Sequence, residues 1–355
     1  EMSEFAVGAD PKLPMLITGL AGVPGYNAFH YFRSLYGDQV IGVRQPNMWP
    51  LKGDGIIACD VGDARALEKL WAEHGFRTVL NSVGSCRLKS CELDPEMAHR
   101  VNVLGTRNVA KLCQDYHSKL IHLSIDLVFA GRKEGGYCED DDTDPVTVYG
   151  AKMVEAEAIV QELVDDPIVL RISLPMGISF NGHAGAVDWI AARFRQGKPA
   201  TLYFDEVRTP TYTDCMNRLF HHLFSTSISG LFHAGGRRAL SLFQIAQIVN
   251  VVGGYDPHLL QGCPRVEAGP MPPRAGNVTM NSDRLREAVG GVWDDVWPFY
   301  ENAVPESRCW HLDFRLPDAG EELVNRWLYS NPNRPGIVPP NRNALWGGGR
   351  FGSHD

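Results

Sequence analysis

The chain has 355 residues, 44% of them hydrophobic and 21% charged, with a formal net charge of -8. That acidic balance argues against a nucleic-acid partner, because phosphate binding needs clustered Lys and Arg. No apolar run reaches the roughly 18 residues of a membrane span, and no signal-peptide h-region opens the chain, so no membrane partner is expected.

The elements alternate from the start. "LPMLITGLAGVPGYNAFHYF" reads as a strand, a glycine-rich turn and a helix, and "DQVIGVRQP" and "GIIACDVGD" as second and third strands. "ARALEKLWAEHG" is amphipathic, with Ala66, Leu67, Leu70 and Trp71 on one helical face. "TVLNSVG" and "KLIHLSIDLVF" are strands flanking the helix "VNVLGTRNVAKLCQDY", and "PIVLRISLPMG" is a sixth strand. This order predicts an α/β fold, a Rossmann doubly wound parallel sheet with helices on both faces over 13–175. Residues 1–12 form a tail. After Pro175 the texture becomes mixed, which predicts a smaller substrate-binding lobe over 176–292, with a segment near 207–233 returning to the first domain. Residues 293–355 form a Trp-rich extension (Trp293, Trp297, Trp310, Trp327, Trp346) expected to pack on the body or on a second subunit of a homo-oligomer. The eight Cys, at 59, 86, 91, 113, 138, 215, 263 and 309, show no C-x-x-C. They suggest neither a zinc cluster nor a disulfide framework, and a reduced, cytoplasmic protein without a metal is the reading.

"TGLAGVPG" places Gly19, Gly22 and Gly25 between a strand and a helix. Glycine permits the tight turn and lets the backbone approach a pyrophosphate at the helix N-terminus. Ordinary turns also contain glycines; it is the strand–loop–helix setting that favours a dinucleotide. Arg44 ends the second strand, where an acidic residue would bind ribose hydroxyls. A guanidinium there suits a 2′-phosphate, which favours NADP and leaves NAD as the alternative. Asp60, after the third strand, is placed to accept from the adenine amine or to cap the next helix. Asn81, closing the fourth strand, is put on the cofactor side with them.

Together these residues resemble the extended short-chain dehydrogenase/reductase superfamily, in its dTDP-4-dehydrorhamnose reductase branch. That branch also contains the regulatory β subunit of methionine adenosyltransferase. The resemblance runs from about Leu13 to Gly290. "NSVGSCRLKSCELDPEMAHRVNVLGTRNVAKLC" is similar to its stretch ending in the helix that bears its Asn, here Asn102. "HLSIDLVFAGRKEGGYCEDDDTDPVTVYGAK" matches its "STDYVFDG … Y-x-E-x-D … P-x-x-x-YG" run, and "DEVRTPTYTD" and "PPRAGNVTMNSDRL" resemble its substrate-domain segments.

The resemblance implies a Tyr proton donor, a Lys four residues later and a Ser or Thr that orients the carbonyl. Tyr149 matches the Tyr. The Lys position is Met153, fixed from beyond by Glu157, and the Ser/Thr position is Ile125. The nearest substitutes are one residue early in each case. Ser124 should face the other side of its strand, and Lys152 lies about 100° around its helix. Asp126 is a further acid/base candidate. Arg208 in "VRTPT" could bind a substrate phosphate or form an ordinary ion pair. Tyr212 borders the same cleft, and His183 in "NGHAG" sits on a loop able to close over substrate. The expectation is an atypical NADP-binding enzyme acting on a nucleotide sugar or related hydroxyketone, with redox-neutral chemistry open to it. A non-catalytic, NADP-binding regulatory or scaffold subunit is the alternative.

Overall fold

The computed structural model describes residues 9–83 and 87–333. Six strands follow in the order expected: β1 (Met15–Ile17), β2 (Val40–Arg44), β3 (Ile56–Ala58), β4 (Thr78–Asn81), β5 (Lys119–Ile125) and β6 (Ile168–Ile172). Short strands β7 (Pro175–Met176), β8 (Ala200–Tyr203), β9 (Val207–Arg208) and β10 (Thr211–Tyr212) come next, and then β11 (Gly230–Ala234) returns beside β6. The main sheet has the order β11-β6-β5-β4-β1-β2-β3, parallel throughout. Strand order reverses between β1 and β4, and open α/β sheets take ligands at the carboxyl ends of the strands at such a point.

Two buried clusters cover the two faces of the sheet. On one, α1 (Val23–Tyr36) buries Phe29 and Phe32; on the other, α2 (Ala64–His74) buries Leu67, Leu70 and Trp71. Asp63 caps α2 by accepting from Arg65 N and Ala66 N, and Gly75 ends it in the left-handed region. Short helices α3 (Leu88–Leu93) and α4 (Pro95–His99) precede a π turn, Arg100–Leu104, that feeds α5 (Gly105–Asp115). The helix expected over "VNVLGTRNVAKLCQDY" thus begins with a wider turn, which carries Asn102. Helix α6 (Val148–Leu163) links β5 to β6. In the mixed region, α7 (Ala186–Arg195), α8 (Thr213–Phe224) and α9 (Leu242–Gly253) are the main helices.

Trp293, Trp297 and Trp310 are buried, so the described part of the extension packs on the body of the same chain. Trp346 lies outside the described residues. Among those residues no helix is long and apolar enough to cross a membrane, and no cluster of His, Cys, Asp or Glu is placed to hold a metal.

One buried polar chain ties the central strands. Thr18 Oγ1 donates to Asn81 Oδ1 (2.8 Å), and Asn81 Nδ2 donates to Thr106 Oγ1 (3.3 Å) and faces His122 Nδ1 at 3.0 Å. The amide donor requires His122 Nδ1 to accept, which fixes a neutral ring. Burial lowers the His122 pKa to about 4. The neutral form therefore contributes stability above an unfolded value near 6.5, and that contribution is lost as pH falls through about 4. Up to about 3 kcal/mol is at stake for such a shift. Melting temperature is expected to drop from pH 7 to pH 4, and His122→Gln to make that drop shallower; parallel curves for the two proteins would remove His122 from the account.

Candidate functional site

The glycine loop joins β1 to α1. Gly19 has φ +68°, and a Cβ there would lie 1.9 Å from the Ser82 carbonyl oxygen, so glycine is required both by conformation and by space. A Cβ at Gly25 would come within 2.5 Å of Gly19 O, which keeps α1 close against the loop. Gly22 is the N-cap. Helix α1 has no side-chain cap, no acidic residue in its first turn, and Pro at its start. Its first amides and its dipole therefore start at the carboxyl end of β1 without a capping side chain or an acidic neighbour in the first turn, the local arrangement that binds phosphate.

Arg44 ends β2, half-buried, with Nη1 donating to Gln45 O at 3.1 Å. It makes no ion pair among the described residues, and its Nε is buried without a hydrogen-bond partner. A guanidinium held this way retains capacity for an anion. Asp60 differs from expectation. Oδ2 pairs with Arg100 and Oδ1 accepts from Gly62 N at 2.9 Å, while the helix cap is Asp63. Both Asp60 oxygens already have partners, so an adenine contact would have to be shared. Asn81 and Asn102 are wholly buried. Asn81 serves the Thr18–Thr106–His122 chain and supports the loop from behind, which corrects its placement as a direct ligand.

Tyr149 sits in the first turn of α6. Thr147 caps that helix, accepting from Gly150 N at 2.9 Å, and Val148 N donates to Glu92 Oε1 at 2.7 Å. A Cβ at Gly150 would lie 2.3 Å from Leu127 O, so the turn after β5 presses directly on the turn bearing Tyr149. Tyr149, Met153 and Ile125 are all at most 9% exposed and belong to one apolar cluster. Both substitutes point elsewhere. Ser124 donates to Glu157 Oε1 on the far face of β5, where Arg171 forks onto Glu157 at 2.9 and 2.8 Å. Lys152 pairs with Glu155 at 2.8 Å on the outer face of α6. Neither reaches Tyr149's side, which corrects their inclusion among the catalytic candidates.

Asp126 and Arg208 form one buried unit. Arg208 Nε and Nη2 donate to Asp126 Oδ2 and Oδ1 at 2.6 and 2.5 Å, and Ser173 Oγ donates to Asp126 Oδ2 at 2.7 Å. Burial works against the Arg208 charge, but Asp126, with Glu206 and Tyr149, overrides it and holds the pKa up. Arg208 is 4% exposed, so it is no open fork for a substrate phosphate; the ordinary ion pair is what forms. Asp126 has both oxygens taken, by Arg208 and Ser173, and stands inside this unit.

Tyr212 is corrected more completely. At 0% exposure, its hydroxyl donates to Trp327 O (2.6 Å) and accepts from Phe299 N (2.9 Å), so it anchors the extension and does not face a ligand. His183 is on an exposed turn organised by Asn181, whose Oδ1 accepts from His183 N and Ala184 N at 3.1 and 2.9 Å. A Cβ at Gly185 would meet Val23 Cγ2 at 2.7 Å, so this loop touches the start of α1, on the cofactor side. Asn27, which the sequence reading passed over, ties the two together: its Nδ2 donates to Val23 O and Ile178 O, both at 2.8 Å.

The RmlD substrate binding domain family model matches residues 14–305. The chain belongs to that family. Among relatives, dTDP-4-dehydrorhamnose reductase of Mycolicibacterium smegmatis is 30% identical over 248 residues, 67% of this chain and 73% of that protein. Methionine adenosyltransferase 2 subunit beta of Danio rerio is 24% identical over 330 residues, 84% of this chain and 96% of that one. The crystal structure of a Bacillus anthracis dTDP-4-dehydrorhamnose reductase in complex with NADP superimposes with TM-score 0.67 at 20% identity, covering 78% of this chain and 93% of that one. The extended short-chain dehydrogenase/reductase fold is therefore present. Beyond residue 305 this chain adds the segment that Tyr212 holds.

Proposed function

We propose that this member of the RmlD family binds NADP(H) at the glycine loop, takes a nucleotide sugar or related hydroxyketone, and uses Tyr149 as its remaining acid. The observation that carries the reading is that Ser124 and Lys152 are both committed to glutamates, leaving Ile125 and Met153 against Tyr149. Gly19, Gly22, Gly25 and the first α1 amides would hold the pyrophosphate, and Arg44 the 2′-phosphate. The nicotinamide supplies hydride when bound. Tyr149 O–H can donate a proton to a carbonyl oxygen, but it lacks the family's Ser/Thr hydrogen bond to that oxygen and the Lys charge beside it. Hydride transfer of the usual type should then be slow, and redox-neutral chemistry gains ground. The reductases among the relatives and the NADP-bound structure support the cofactor and substrate class.

The second reading, an NADP-binding regulatory subunit, draws support from the long match to methionine adenosyltransferase 2 subunit beta together with the two apolar positions. Cofactor titration by intrinsic fluorescence tests what both readings share. NADPH is expected to bind more tightly than NADH, and Arg44→Ala to cost about 10-fold or more in NADPH affinity, the worth of a charge-assisted hydrogen bond. A preference for NADH that survives Arg44→Ala would overturn the assignment. Steady NADPH oxidation with sugar nucleotides separates enzyme from regulator.

A further inference from the structure

One peptide unit of the loop after β7 is gripped from both sides. Its carbonyl, Ile178 O, accepts from Asn27 Nδ2, one turn into α1, and its N–H, on Ser179, donates to Asp188 Oδ2 in the first turn of α7, both at 2.8 Å. Asn27 Nδ2 also donates to Val23 O at 2.8 Å, and Val23 opens α1 directly after Gly22. Ser179 Oγ adds a second bond to Asp188 Oδ2 at 2.6 Å. Asp188 Oδ1 accepts from the Tyr329 hydroxyl. Asn27, Ser179, Asp188 and Tyr329 are at most 6% exposed. A continuous run of buried hydrogen bonds therefore joins Tyr329, outside the 14–305 stretch that the family model matches, to the turn that follows the glycine loop.

The turn bearing Tyr329 is also anchored without that hydroxyl. Trp327 O accepts from Tyr212 at 2.6 Å, and Leu328 O from Trp297 Nε1 at 3.0 Å. We propose that Tyr329 is a positioning residue of the cofactor site. Through Asp188, the Ile178–Ser179 peptide and Asn27 it sets the first turn of α1, so that the extension and NADP(H) strengthen each other's binding. The inference rests on the reading of the glycine loop as the pyrophosphate site. Helix amides hold a phosphate by directional bonds that weaken steeply with misalignment, so the placement of that turn decides affinity. Buried hydrogen bonds polarise one another, and the loss of one is felt along the run. Such coupling is reciprocal: what the extension gives the cofactor, the cofactor gives the extension.

The test is a double-mutant cycle on NADPH affinity, read by fluorescence titration of the full chain. Tyr329→Phe keeps the ring, removes the hydroxyl and is expected to weaken NADPH binding by about 5-fold or more. Asn27→Ser takes the amide out of reach of Ile178 O and breaks the run at its other end. In that background Tyr329→Phe is expected to cost less than about 2-fold, because two changes on one run do not add. Asp188→Asn takes the place of Asn27→Ser if the latter does not fold. Tyr212→Phe is the control: it loosens the same turn from a point off the run, so melting temperature should fall while NADPH affinity holds. Equal losses from Tyr329→Phe in both backgrounds, no loss in the parent, or the same loss in Tyr212→Phe would each make Tyr329 a purely structural residue and leave the cofactor reading standing. A parent chain that binds no NADPH would overturn the cofactor reading and this proposal with it.

Discussion

A chain cut after Val292 is expected to lose its cooperative fold. Family resemblance ends near residue 305, yet the segment beyond it supplies interior side chains: Leu323, Val324, Leu328 and Tyr329 are at most 4% exposed, beside Trp293 and Trp297 at 1% and 0%. It also satisfies buried polar groups. Trp297 Nε1 donates to Leu328 O at 3.0 Å, Tyr329 O–H donates to Asp188, and Asn331 N donates to Asp214 Oδ2 at 2.9 Å. Removing the segment strips Tyr212 of both hydroxyl partners, and an abandoned buried polar group costs about 1–3 kcal/mol. Trp297→Ala alone should cost about 3–5 kcal/mol, a large share of a typical stability of about 5–15 kcal/mol. Thermal melting followed by circular dichroism checks both. A truncated chain that melts with the parent would show that the extension decorates the lobe without completing it.

The parallel sheet was legible because its periodicity is local. Each strand is a short apolar run, each helix an amphipathic one, and the glycines at 19, 22 and 25 sit between the first pair. Strand alternation and helical geometry already weighed against Ser124 and Lys152, although both stood among the catalytic candidates, and their partners are Glu157 and Glu155. What could not be read were partnerships across long separations. Tyr212 and Arg208 looked like cleft residues because their segment matches a substrate region. Their partners, Trp327 and Asp126, are 115 and 82 residues distant. A polar residue in a tight strand–turn–strand segment carries no local mark of whether it faces a ligand or a buried carboxylate. Asp60 and Asp63 present the same difficulty at short range: Asp60 was a cap candidate for α2, and the cap is Asp63, which directly precedes the helix. Asn27 could have been suspected from its place one turn into the helix after the glycine loop, where its amide can reach out of α1 to the loop following β7.

The double change Ile125→Thr with Met153→Lys is expected to raise NADPH-linked reduction of dTDP-4-keto-6-deoxysugars by about 10²-fold or more over a slow parent. Positioned acid–base groups contribute about 10²- to 10⁴-fold, and the two substitutions restore one hydrogen-bonding group and one charge on the side of Tyr149. The site can receive them at a cost. Met153 is 3% exposed, so a lysine there is desolvated, which lowers its own pKa and draws on part of the stability the methionine gave. Asp126 already belongs to Arg208, so the new ammonium must rely on Tyr149, the threonine and the bound cofactor for partners. Lys152→Ala is the control. Its ammonium is paired with Glu155 on the outer face of α6, and an exposed pair of that kind contributes little, so turnover and melting should both hold. A collapse of activity in Lys152→Ala would mean that this lysine swings inward during the reaction, and that Met153 was the wrong position to repair. Fast turnover in the unmodified protein would show instead that Tyr149 works with no help from positions 125 and 153. In that event the charge it uses must come from elsewhere in the site.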